Sequence, residues 1–167
     1  LKSSYNSIKD GNLATCKYVK KLENYFEKNY YKKGYAVATS SGTSALFLAI
    51  KSLVKKKRAR ILLPTYSCSA LLNAVYMANA VPIIADIDEK KFVINTKKSF
   101  KNIDVIIAVN MFGSDPNLYE IKKKYPKSKI ILDACHSIGK KIREDDKIFL
   151  ADIIIHSFYA TKIITCG

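Results

Sequence analysis

The apolar positions of the chain follow two rhythms. In "LATCKYVKKLENYFEKNYY", Leu13, Cys16, Val19, Leu22 and Phe26 recur at helical spacing with lysines and glutamates between them, which predicts an amphipathic helix after the turn residue Gly11. Further on, short strand-like runs alternate with helical ones: "YAVAT" then "SALFLAIKSLV", "RILLP" then "SALLNAVYMANA", "VPIIAD", "DVIIAVNMF" then "DPNLYEIKKKY", "KIILDA", and finally "ADIIIHSF". The strand-like runs are short and apolar on both faces, as buried parallel strands covered by helices are, so the expected class is a layered α/β domain. Residues 1–32 read as a helical segment and 33–167 as the α/β domain. Asp115 followed by Pro116 predicts a capping side chain and then a first-turn proline that needs no N–H.

With 167 residues, 49% of them hydrophobic, the chain can bury one core. Lys and Arg number 29 against 14 Asp and Glu, a net charge of +15, which raises nucleic acid or an anionic membrane as partners. The lysines cluster in "KYVKK", "VKKKRAR" and "IKKKYPKSK", at predicted helix ends and in the turns after them, where cations favour the helix dipole. A solvated surface with neither partner is the preferred reading; a basic binding protein, its affinity falling steeply with salt, is the rival. Cys16, Cys68, Cys135 and Cys166 show no CxxC pair or metal-type spacing, so no metal site or disulfide framework is indicated and a reduced cytoplasmic setting is expected. No apolar run has transmembrane length. The chain starts with Leu and stops at "IITCG" after an apolar segment, and reads as a fragment.

In open α/β sheets ligands gather where strands end and helices begin. Three such ends carry chemistry. "TSSGTSAL" sets Gly42 among Ser41, Thr43 and Ser44 at a helix start, suited either to a phosphate dianion or to an ordinary Ser/Thr cap. "KIILDACHSIG" puts Asp133 directly after an apolar strand, where a carboxylate costs stability unless it meets a cation or donors, or serves as a helix cap. His136, three residues on, fits a ligand contact or a satisfied structural group. "HSFYATK" carries Lys162 past a buried strand in apolar, hydroxylated surroundings, a setting that lowers a lysine pKa and frees the amine as a nucleophile. A phosphate cup, a buried carboxylate and an amine on one sheet edge are the parts that hold pyridoxal phosphate: phosphate on the helix start, carboxylate on the ring nitrogen, lysine on the aldehyde.

In order and spacing, "SSGTSALFLAI", "LLPTYSCSALLNAVYMANAVPIIADIDEKKFVINTK", "AVNMFGSDPNLYEIKKKY", "ILDACHSIG" and "HSFYATKIITCG" resemble the DegT/DnrJ/EryC1/StrS family of pyridoxal-phosphate sugar aminotransferases, from about Gly11 to Gly167. The resemblance implies the three-layer α/β/α large domain of a fold type I enzyme, mainly parallel, truncated before a smaller C-terminal domain. It makes Lys162 the lysine that holds the cofactor covalently and Asp133 the carboxylate against the ring nitrogen. Ser157, Thr43 and Ser44 become phosphate ligands beside Gly42, and His136 the contact near the phenolic oxygen. Cys68 stands where many members carry an aromatic residue stacked on the ring, with Tyr66 two residues before it. The implied activity is transfer of an amino group, from glutamate, to a keto group of a nucleotide-linked sugar, in a homodimer with interfacial sites that feeds polysaccharide or amino-sugar synthesis. Alternatives are another fold type I reaction, such as a lyase, racemase or dehydratase, or a truncated inactive homologue. The dehydratase branch replaces the lysine, which is present here.

Overall fold

A computed structural model describes residues 2–11, 17–30, 34–138 and 147–165, with the backbone alone for 2–4 and 147–148. Two compact units divide the chain, Leu1–Ala38 and Thr39–Gly167.

In the first unit, α1 spans Lys2–Lys9 and α2 Lys17–Asn29. Leu13 and Cys16 of the expected helix lie outside the described residues, and the stripe buries only Phe26, whose ring stacks on Tyr30 at 4.9 Å. "YAVAT" forms no strand, contrary to expectation: Tyr35 is 97% exposed. Its N–H groups are taken by α2 instead, with Ala36 N donating to Glu27 Oε1 at 3.0 Å and Ala38 N to Glu23 Oε1 at 2.8 Å. Among the described residues no strand lies beside it to complete a ladder.

The second unit alternates helices and strands: α3 Gly42–Leu53, β1 Arg60–Pro64, α4 Ser69–Met77, β2 Val81–Ala85, β3 Val105–Val109, α5 Leu118–Lys124, β4 Lys129–Asp133 and β5 Ile153–Ile155. The sheet has the order β2-β1-β3-β4-β5 and every pair is parallel. Alternate residues serve opposite faces, as the strand period of two requires. Ile61, Leu63, Val105, Ile107 and Ile131 pack with Leu46, Ile50, Leu71 and Val75 of α3 and α4, while Leu62, Ile106, Ile130 and Leu132 pack with Leu118 and Ile121 of α5. The result is the expected α/β/α sandwich. Fully burying an isoleucine such as Ile107 stabilises by ~1.5–3 kcal/mol.

Two expectations are corrected. β2 is an edge strand and leaves Ile84 half exposed, so it is not buried on both faces. The cap of α5 is Asn117, not Asp115: Asn117 takes a left-handed conformation (φ 47°) that asparagine tolerates, and its Oδ1 accepts from Glu120 N. Asp115 closes the preceding turn by accepting from Asn117 N at 2.9 Å.

Aspartates fasten the edge where the strands start. Asp104 accepts from Arg60 N at 2.8 Å and pairs with Lys56 at 2.8 Å; Asp152 accepts from Ile130 N at 2.8 Å and pairs with Lys129 at 2.7 Å. At the opposite edge the strand order reverses between β1 and β3, so the loops that leave them diverge and open the crevice where ligands of such sheets bind.

Candidate active site

Strand ends converge on the start of α3. Ser41 caps that helix, its Oγ accepting from Ser44 N at 3.1 Å, and the Ser44 hydroxyl lies 2.9 Å from Ser41 Oγ and 3.2 Å from Ser40 Oγ. The capping alternative therefore holds for Ser41. Gly42 and Thr43 occupy the first turn, where N–H groups have no intrahelical acceptor and the helix dipole is positive. Ser157, two residues past β5, reaches the same place: a Cβ on Gly42 would sit 3.9 Å from both Cβ and Oγ of Ser157. Backbone N–H groups, hydroxyls and the absent glycine side chain together form a cradle for an anion.

Asp133 ends β4 and is 7% exposed. Its Oδ1 accepts from Cys135 N at 3.1 Å, and among the described residues it has no ion-pair partner. His156 follows β5 directly beside it. Burial holds the His156 pKa below its ordinary value, against the opposing pull of a hydrogen bond with the Ala134 backbone and of the Asp133 charge. Burial first, then the charge of Asp133 and a hydrogen bond with it, push the Cys135 thiol far up; the Lys162 charge works the other way, and Cys68 adds a small upward push. Asp133, Cys135, Cys68 and Lys162 thus share one electrostatic neighbourhood. Lys162 is half-buried and is returned toward the sheet by a turn in which its N–H donates to Tyr159 O at 2.8 Å and Tyr159 N donates to Ser157 Oγ at 3.4 Å.

His136 is half-buried, with its ring 6.0 Å from that of Phe112. Cys68 occupies the N-cap position of α4 without a side-chain cap bond and is exposed. Two residues escaped the sequence reading. His156 stood out only as a neighbour of Ser157, although its place at a strand end beside an aspartate was a usable signal. Asn110 follows β3, donates its N–H to Asp133 O at 2.9 Å, and keeps its Oδ1 buried with no hydrogen-bond partner. Among the described residues no three His, Cys, Asp or Glu side chains could hold a metal ion, and no helix is long and apolar enough to cross a membrane.

An anion cradle, a buried carboxylate with no ion-pair partner among the described residues, and a lysine whose charge acts on the same thiol as that carboxylate belong to the strand ends that carry the sequence motifs. Residues 2–167 match the DegT/DnrJ/EryC1/StrS aminotransferase family. The chain belongs to this family. Among similar family proteins, the 3-oxo-glucose-6-phosphate:glutamate aminotransferase of Bacillus subtilis is 35% identical over 68% of this chain and 28% of its own length. GDP-perosamine synthase of Escherichia coli O157:H7 is 29% identical over 90% of this chain and 43% of its own length. Among solved structures, NtdA from Bacillus subtilis with bound PMP superposes with a TM-score of 0.79 at 32% identity, covering 90% of this chain and 35% of that one. The chain spans less than half the length of these relatives.

Proposed function

We propose that the whole protein is a pyridoxal-phosphate-dependent aminotransferase that moves an amino group from glutamate to a keto group of a nucleotide-linked sugar. The observation that carries this is the meeting, at one sheet edge, of the Gly42–Ser157 cradle with Asp133 and Lys162. The residues fit the cofactor: the cradle has room where a Cβ would stand, and the buried Asp133 has no ion-pair partner among the described residues. When bound, pyridoxal phosphate supplies an electron sink for a breaking Cα–H bond.

The chain's own residues do the rest. The N–H groups of Gly42 and Thr43 and the hydroxyls of Ser44 and Ser157 would hold the phosphate. Asp133 keeps the ring nitrogen protonated. A neutral His156 beside it leaves that carboxylate its charge, which a protonated imidazole would partly cancel. His136, three residues past Asp133, would meet the phenolic side of the cofactor, and Cys68 would offer its ring a polarisable thiol in place of an aromatic side chain. Lys162 would hold the cofactor through Nζ and could carry a proton there. Residues 33–167 supply the cofactor half of the site and residues 1–32 a helical segment; the remainder of the protein and a second subunit of a cytoplasmic homodimer complete the pocket. The relatives' names support a sugar acceptor and glutamate as donor.

The test separates the two half reactions in the full-length protein. Glutamate should convert the yellow holoenzyme to its amine form, and a nucleotide-linked keto sugar should restore the colour. Restoration by 2-oxoglutarate but by no keto sugar would refute the sugar assignment.

A further inference from the structure

Three exposed aromatic rings cluster on the loops that follow β1, β2 and β3. Tyr66 lies in the loop after β1 and Phe112 in the short 3-10 turn Met111–Gly113 after β3, the two loops that flank the reversal of strand order. Phe92 comes from the turn after β2. The ring centroids of Tyr66 and Phe92 are 5.6 Å apart, those of Phe92 and Phe112 5.7 Å, and those of Tyr66 and Phe112 6.5 Å. Although they touch, the three residues remain 47%, 38% and 66% exposed in the order Tyr66, Phe92, Phe112, so the cluster is a surface rather than a piece of core.

The backbone beneath two of these rings is strained. Among the described residues six other than glycine have positive φ: Asn79, Asn102 and Asn117, the residue type that tolerates it, together with Arg58, Phe92 (φ 56°) and Phe112 (φ 52°). Asparagine or glycine would adopt this backbone at lower cost than an aromatic residue. Strain of this kind is retained where the side chain is needed in place. Phe112 also connects the cluster to the site: its ring neighbours that of His136, and a Cβ on the next residue, Gly113, would sit 3.9 Å from His136 O.

Resting on the aminotransferase reading, we propose that Tyr66, Phe92 and Phe112 form the platform for the pyranose ring of the acceptor. A pyranose presents a face of C–H groups, slightly positive, which the negative faces of aromatic rings attract, and a rim of hydroxyls that stays wet. Lys90 and Lys91, exposed in the same turn as Phe92, offer ammonium groups to the phosphate that a sugar phosphate and a nucleotide-linked sugar both carry. A second copy of the chain is the competing occupant.

The test uses the full-length protein carrying its cofactor in the amine form. Glucose 6-phosphate and UDP-glucose, which share the pyranose and differ in the phosphate group, are titrated by calorimetry. Phe112→Leu and Tyr66→Leu, which keep apolar bulk but remove the ring, should each weaken the probe that binds the wild type about tenfold. Phe112→Tyr should retain affinity, and the glutamate half reaction should stay within about twofold of wild type in all three. Unchanged sugar affinity in both leucine variants, or binding of neither probe by a wild-type protein that turns over glutamate, would overturn the platform. A shift from dimer to monomer in light scattering with sugar affinity unchanged would also overturn it and give the face to a second subunit. Failure of glutamate turnover in the wild type counts against the parent reading alone, since the calorimetric comparison decides the platform independently.

Discussion

Asp152 precedes β5 and Asp133 ends the neighbouring β4, so the two carboxylates stand at opposite edges of one sheet. Asp152 accepts from Ile130 N and pairs with Lys129, and Asp104 repeats the device with Arg60 N and Lys56. Asp133 is buried, accepts from Cys135 N, and lacks any ion-pair partner among the described residues. The same residue type thus fastens strand starts at one edge and, at the other, stands buried with no ion-pair partner among the described residues. A carboxylate that is satisfied holds strands together; one that is buried and short of a positive partner stores the demand that a ligand meets.

Exchanging the roles gives the largest effect. Asp133→Ala in the full-length holoenzyme should lower kcat by about 10²–10⁴-fold, whereas Asp152→Ala should leave it within about twofold; steady-state transamination assays decide this, and equal losses would erase the contrast. Stability should respond in the reverse sense. Asp152→Ala and Asp104→Ala each strand a strand-end N–H and should cost ~1–3 kcal/mol in urea unfolding. Asp133→Asn should leave the cofactor-free protein as stable as wild type or more so, because a desolvated charge is removed.

Acid should attack the two edges in succession. The folded pKa of His156 lies below its ordinary 6.5, so the unfolded chain takes up that proton first, and stability should be lost as pH falls from about 6.5 toward the folded value. For Asp152 burial alone would raise the pKa, but hydrogen bonds from Lys129 and Ile130 N and the Lys129 charge prevail and lower it below 3.8, so its contribution is lost only in stronger acid. As pH falls, the denaturant midpoints of the wild type and His156→Gln should diverge through the first window and run parallel through the second. The smallest effect concerns the thiols: Cys135, pushed up by burial and Asp133, should react with iodoacetamide at pH 8 at least about tenfold more slowly than the exposed Cys68. Peptide mass spectrometry over time reads the two rates.

The central strands were readable in advance because "RILLP", "DVIIAV" and "KIILD" are apolar on successive residues, which a two-faced buried strand requires. "YAVAT" has similar local character and fails, since a strand needs a neighbour and here the N–H groups meet Glu23 and Glu27 instead. That Asp133 ends a strand and that Ser157 and Lys162 follow one was readable from the apolar runs before them. His156 and Asn110 were not, because their meaning lies in which side chains face them across strands distant in sequence. Phe112 is the clearest case: nothing in "NMFG" announces an aromatic residue held with positive φ.

The proposed chemistry stands or falls on Lys162. Borohydride reduction of the full-length protein loaded with pyridoxal phosphate, followed by peptide mapping, should place the cofactor on Lys162 and nowhere else in stoichiometric yield. A stoichiometric label on any other lysine, with Lys162 unmodified, would contradict it.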